Sequence, residues 1–158
     1  MLNIVLVEPE IPGNTGNIGR TCVGNNAALH LVGKLGFSLR DKYLKRSGLD
    51  YWPMLDLKIH PDWDAFLTHA GPGAKLFFFE KDGARNLWDA AFTDDCYLIF
   101  GSETRGFPPR ISREHGDEFY RIPMTGPIRS LNLAAAAAVA AYEAIRQTAK
   151  METTHGPS

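Results

Sequence analysis

Cysteine is scarce in this chain. Only two occur among 158 residues, Cys22 and Cys96, far apart and in apolar company, with no C-x-x-C pair. A disulfide framework and a cysteine-built zinc site are thereby excluded, no metal centre is expected, and a reducing, cytoplasmic compartment fits. An excess of one charge is lacking as well: 17 Lys and Arg face 18 Asp and Glu, so no general stickiness for nucleic acid arises, and a polyanion has to be met by a local basic patch. Long hydrophobic runs are missing too. The opening MLNIVLVEPE has no basic start and turns acidic after one short apolar run, which reads as neither a signal peptide nor a membrane span. Repeats and long low-complexity linkers are absent. One domain over residues 1–150 follows, with METTHGPS at 151–158 as a flexible tail.

What the chain does have is short apolar runs, in a sequence that is 44% hydrophobic and long enough to bury one sizeable core. They fall at Leu2 to Val7, Ala28 to Val32, Leu55 to Ile59, Lys75 to Phe79, Cys96 to Phe100 and Phe119 to Ile122. Most are continuous and not alternating, as strands covered on both faces require. Helix-compatible stretches lie between several of them, at Thr15 to Asn25, Leu39 to Arg46 and Asp62 to His69, and a last one spans Asn132 to Thr148. The pattern predicts an α/β fold with a mostly parallel sheet and helices on both faces.

Three loops after predicted strands carry the chemistry. EPEIPGNTGNIGR, at 8–20, has its glycines in G-x-x-G-x-x-G spacing. A dinucleotide fingerprint needs G-x-G-x-x-G and an acid after the second strand, where this chain has Lys34. What remains is Asn14, Asn17 and Arg20 at intervals of three, predicted to share one helical face, with an N-cap for Asn14 and a solvated position for Arg20 as the plainer account. The second loop, within LIFGSETRGFP at 98–108, sets Glu103 and Arg105 between Gly101 and Gly106. Open α/β sheets bind ligands at the carboxyl ends of their strands, and glycines let backbone approach a bound molecule closely; an exposed ion pair in a turn is the alternative. The third, IPMTGPIRSLNLAAAAAVAAYEAIRQ at 122–147, passes through a Pro-Gly-Pro loop into an alanine-rich helix. Ser130 and Asn132 either cap that helix or hold a substrate at its N-terminus, and the small face over 134–141 suits close packing by another helix of this chain or of a partner.

In order, NTGNIGR at 14–20, LIFGSETRGFP at 98–108 and IPMTGPIRSLNLAAAAAVAAYE at 122–143 resemble the three motifs of the SPOUT, or SpoU-like, class of RNA methyltransferases. The MLNIVLVEPEIPGNTGN opening and GLDYW at 48–52 are similar to the TrmL family of tRNA (cytidine/uridine-34) 2′-O-methyltransferases. The resemblance covers nearly the whole chain. It implies a cytoplasmic homodimer that uses S-adenosyl-L-methionine to methylate the wobble ribose in the tRNA anticodon region, leucine isoacceptors among the substrates. It also implies a deep trefoil knot in the C-terminal part. Phe79, Gly101, Ile122, Ser130, Leu131 and Leu133 are implied to line the cofactor site. Arg20, Glu103, Ser130 and Asn132 are implied for catalysis, with Glu103 orienting Arg20 or Arg105. The alanine face and the start of the first helix are implied for the subunit interface.

For the RNA, Asn14, Asn17, Arg20 and Arg129 are candidates. So is a basic strip of Lys34, Arg40, Lys42, Lys45 and Arg46, with Phe37 and Tyr43 interleaved for base stacking. A solvated helix face explains that strip equally well. The alternatives in function are a SPOUT enzyme for another tRNA or rRNA ribose, and a catalytically idle RNA- or nucleotide-binding protein.

Overall fold

The apolar runs become strands because both of their faces find cover. A computed structural model describes residues 1–48 and 50–148; the tail expected over 151–158 lies outside the described residues. The strands are β1 (Asn3–Val7), β2 (Ala28–Val32), β3 (Asp56–His60), β4 (Leu76–Phe79), β5 (Arg85–Asn86), β6 (Tyr97–Phe100) and β7 (Tyr120–Arg121). They form one seven-stranded sheet in the order β3-β2-β1-β6-β4-β7-β5, every pairing parallel. Side chains alternate along each strand. Ile4 and Leu6 of β1 therefore join Leu98, Phe100, Ile18 and Cys22 in one core, while Val5 and Val7 join Phe66, Phe78 and Ile111 in the other.

The helices are α1 (Pro12–Gly24), α2 (Lys42–Gly48), α3 (Trp63–Ala70), α4 (Pro109–His115) and α5 (Leu133–Thr148). Helices α1 and α5 cover the first core; α3 and α4 cover the second. Among the described residues no helix is long and apolar enough to cross a membrane.

Several boundaries differ from expectation for identifiable reasons. Helix α1 begins at Pro12, three residues before the predicted start, because a proline at the first helical position has its φ already set. The predicted start at Leu39 is too early for α2. Ser38 Oγ accepts the Arg40 N–H at 3.1 Å and holds a turn there, and Asp41 Oδ1 accepts the Tyr43 N–H at 2.8 Å. Helix α4 and the two-residue β5 were not predicted; both are too short for a periodic signal.

The alanines of α5 supply the largest correction. Ala137, Ala140, Ala141 and Ala144 are buried in the core of this same chain, against α1 and β6, so they are not free to form a subunit interface. The outer face of α5 carries Val139 and Tyr142, which are exposed.

A buried pair of histidines sits on the β2–β3 side of the sheet. His30 of β2 is fully buried, with Nδ1 3.0 Å from His60 Nε2 and Nε2 3.0 Å from Asn3 Oδ1. Asn3 Nδ2 donates to the Met1 carbonyl at 3.0 Å, which fixes its Oδ1 as the acceptor. His30 then carries its proton on Nε2, so His60 Nε2 must donate to His30 Nδ1.

Candidate active site

Strand order reverses between β1 and β6, and an open parallel sheet has its natural crevice at that point, outside the carboxyl ends of the strands. The loops leaving β1 and β6 meet there. After β6 the chain turns through a tight hairpin in which Ser102 and Gly106 exchange two backbone hydrogen bonds, each 3.0 Å. A Cβ on Gly101 would lie 2.4 Å from the Gly106 carbonyl carbon, so no other residue allows that closure. Gly106 has φ +67°, which glycine adopts without strain.

The two loops exchange carboxylates. Glu103 accepts the backbone N–H groups of Glu10 at 2.7 Å and Ile11 at 3.1 Å. Glu10 in return accepts the Thr104 hydroxyl at 2.8 Å and the Thr104 N–H at 3.3 Å, and lies 3.6 Å from Arg105 Nε. The bonds from Thr104 and Ser102, and the Arg105 charge, hold the Glu10 carboxyl below the usual carboxylate range. Helix α1 has no side-chain cap of its own, and Glu103 stands in for one from across the crevice.

The third loop is tied in by a head-to-tail chain of amides. Asn132 Oδ1 accepts the Ala134 N–H at 2.9 Å, and Asn132 Nδ2 donates to Asn14 Oδ1 at 2.9 Å. Asn14 Nδ2 donates to Glu103 Oε1 at 3.4 Å. Asn132 thus caps α5 and links it to α1 at the same time, so both roles open to it in the sequence are filled.

These loops enclose a cavity of about 430 Å³, within the range of small-molecule sites. Phe79, Gly101, Ile122, Ser130, Leu131 and Leu133 all border it, as do Asn14, Glu103, Arg129 and Asn132. Arg20 and Asn17 do not. Three residues turn an α-helix by only about 300°, so two such steps separate Asn14 from Arg20 by about 120°. Asn14 is buried toward the cavity while Asn17 and Arg20 are exposed, which corrects the single face predicted for the three. Arg20 instead lies with its guanidinium carbon 5.7 Å from the Tyr51 ring, whose hydroxyl donates to the Gly16 carbonyl. Glu103 meets backbone and Asn14 and not Arg20 or Arg105, a second correction: its oxygens are taken by the amides of Glu10 and Ile11, the two residues that lead into α1, and by the Asn14 side chain.

Lys34, Arg40, Lys42 and Arg46 are exposed on the segment from β2 through α2, away from the cavity lining, with Lys42 Nζ 5.3 Å from the Tyr43 ring centroid. The Lys45 side chain lies outside the described residues. Glu10, Thr104 and Ile11 were missed as contributors to the site. The signal for them is the pairing of β1 with β6, which brings the 8–11 loop beside the 102–106 hairpin. Cys22 is no nucleophile, since burial pushes its thiol up to about 12. Among the described residues no cluster of three or more His, Cys, Asp or Glu is placed to hold a metal ion.

An all-parallel sheet whose switch-point crevice is closed by glycine-bearing loops and a helix N-terminus defines an α/β protein for a small ligand. The model of the SpoU rRNA methylase family matches residues 1–142, and the chain belongs to that family. It is 44% identical over 149 residues to the tRNA (cytidine(34)-2′-O)-methyltransferase of Burkholderia pseudomallei, covering 93% of this chain and 96% of that one. A solved structure described as giving insight into the 2-OH methylation of C/U34 on tRNA superposes with a TM-score of 0.88 at 48% identity, covering 93% of this chain and 95% of that one. The SpoU methyltransferase AviRb of Streptomyces viridochromogenes, solved in complex with the cofactor AdoMet, superposes at a TM-score of 0.78 and 28% identity, covering 93% of this chain and 57% of that one.

Proposed function

We propose that this chain is an S-adenosylmethionine-dependent methyltransferase acting on the ribose 2′-oxygen of the wobble nucleotide 34, a cytidine or uridine, of tRNA. The observation that carries this is the convergence of three motif loops on one cavity bordered by all six residues that the family resemblance implies for the cofactor. Membership of the SpoU family and the relatives' activities support it.

The lining fits the cofactor. Phe79, Phe100 and Tyr120 offer flat apolar surface for an adenine, and the 101–106 hairpin offers main-chain donors and acceptors. The cofactor supplies a methyl group already activated on a sulfonium sulfur. The chain's own task is to bring a hydroxyl into line with that methyl carbon, and positioning of that kind removes much of a barrier. Arg20 is assigned to orient the RNA phosphate and stabilise the forming alkoxide. A guanidinium with a pKa above about 12 is a poor base at neutral pH. Asn132 and Ser130 shape the cavity beside the substrate.

A homodimer completes the site in this reading. Arg20 is exposed and outside the lining of its own cavity, so it serves the cavity of a second copy, and Val139 and Tyr142 on the outer face of α5 supply apolar surface for the contact. A C-terminal trefoil knot belongs to the same reading. Its support is that β7 inserts between β4 and β5 before the chain returns to pack α5 on α1. The substrate and the two buried free thiols suit the cytoplasm.

The test is methylation of bulk tRNA with labelled cofactor, followed by nucleotide mapping. The label is expected on the 2′-oxygen of nucleotide 34, and a deoxyribose at that position is expected to abolish transfer. Arg20→Ala should keep cofactor affinity while lowering turnover by roughly 10²-fold, and Arg20→Lys should restore little, because lysine lacks the forked donor set. Methylation that survives the deoxy substitution overturns the proposal.

A further inference from the structure

The mouth of the cavity is rich in charged side chains. Lys81, Arg105 and Arg129 border it together with two acids, Glu80 and Glu103. Both acids accept hydrogen bonds from amides of the chain, Glu103 from three donors within 2.7 to 3.4 Å and Glu80 from the Asp82 N–H at 2.9 Å, and no ion pair of either with these cations is formed among the described residues. The cofactor brings a single carboxylate for one of these cations to pair with, and its sulfonium repels the others, whereas an RNA backbone offers an anion to each.

We propose that Arg105 is the contact for an RNA phosphate beside the reacting nucleotide, and that Glu10 is the positioning residue that aims it; this rests on the methyltransferase reading above. The backbone of Arg105 is fixed, with its N–H donating to Ser102 Oγ at 3.2 Å inside the closed hairpin. Its side chain is 67% exposed, and its nearest approach to Glu10 is from Nε at 3.6 Å, just outside hydrogen-bond distance. That leaves the two terminal nitrogens, the pair that grips a phosphate in parallel. Glu10 is held by the Thr104 hydroxyl, 2.8 Å from each carboxylate oxygen, so it is a fixed anchor beside an exposed cation. Glu10 does not border the cavity and acts only through the residues it holds.

Two affinities separate this proposal from the reading it rests on: that for S-adenosylhomocysteine by calorimetry, and that for tRNA across a salt series. Arg105→Ala is expected to leave the first within about twofold, to raise KM for tRNA about tenfold, and to flatten the slope of log affinity against log salt by about 0.7 to 0.9, the value of one lost phosphate contact. Glu10→Gln keeps the cation but loosens its aim. It should raise KM about threefold, leave the salt slope unchanged, and add nothing on an Arg105→Ala background. A salt slope that Arg105→Ala does not change overturns the proposal, and so does a loss confined to S-adenosylhomocysteine binding. A wild-type chain that binds no S-adenosylhomocysteine overturns the methyltransferase reading itself.

Discussion

Two polar networks sit against the sheet, and they are built on opposite principles. At the carboxyl ends of β1 and β6, the Glu10, Glu103, Asn14 and Asn132 side chains bind loops together through carboxylates and amides that border open space. Beneath α3, His30 and His60 bond to each other and to Asn3, with His30 fully buried and the rings packed against Phe66 and Tyr97. In the first network Glu10 is held charged, because hydrogen bonds from the Thr104 and Ser102 side chains, with the Arg105 charge, lower its carboxyl. The second is held neutral, since a buried imidazolium would face desolvation and the neighbouring histidine and lysine charges, with only Asp56 weakly in its favour. A ligand site and a structural joint are thus distinguished by whether the polar groups are held charged or held neutral.

The comparison is broken most severely at Gly101. Alanine there drives a Cβ into the backbone at Gly106, 2.4 Å away, where no flexible side chain can yield. Overpacking on that scale costs about 1 to 3 kcal/mol. All of it falls on the cavity wall, so cofactor affinity should drop by up to roughly 10²-fold in calorimetry, while far-ultraviolet circular dichroism stays that of the wild type.

A smaller effect separates the two asparagines. Asn132→Ala removes the cap of α5 together with the bond to Asn14, whereas Asn14→Ala removes only the link. Loss of a cap costs about 1 kcal/mol. Urea unfolding should show Asn132→Ala the less stable variant by that margin. Both should lose turnover by about tenfold, with less than additive loss in the double variant. Additive losses would mean that the two amides act separately.

The charged network was largely legible in the sequence, and the neutral one was not. Glu103, Asn14 and Asn132 stand out because each lies in a glycine-bearing loop directly after an apolar run, and strand ends are where such sheets bind ligands. Their partners were not legible. That Glu103 caps α1 depends on β1 lying beside β6, a pairing across more than ninety residues that no local pattern encodes. The strands could be read closely because burial on both faces leaves an unbroken apolar run. The start of α2 and the two-residue β5 could not, being set by a serine turn and by contact with β7. His30 was invisible for a different reason: a single histidine in ALHLV looks like a defect in a strand until the β2–β3 register, which sets it opposite Lys58, brings His60 diagonally onto the same face.

The neutral network has its own signature, smaller at neutral pH and visible only on acidification. Burial first, and then the His60, His69 and Lys58 charges, lower His30 to about 3, opposed weakly by Asp56; burial, His69 and Lys58 also lower His60. Protonating His30 on Nδ1 would set two N–H groups against each other, so the folded chain refuses the proton that the unfolded chain accepts near the ordinary histidine value of about 6.5. With more protons bound when unfolded, stability rises with pH. The contribution is complete above about pH 6.5 and is lost as pH falls from there toward about 3. Between pH 6.5 and about 5, above the range where carboxylates titrate, His30 alone should cost roughly 2 kcal/mol of unfolding free energy. His60→Gln keeps a donor for His30 Nδ1 and removes one titrating group. Urea titrations of the two proteins at pH 7.5 and pH 5 should therefore show a shallower acid loss in the variant, with methyl transfer at pH 7.5 changed less than twofold. Equal acid losses in the two proteins would mean that His60 takes its proton freely in the folded chain, and that the joint beneath α3 is not held neutral.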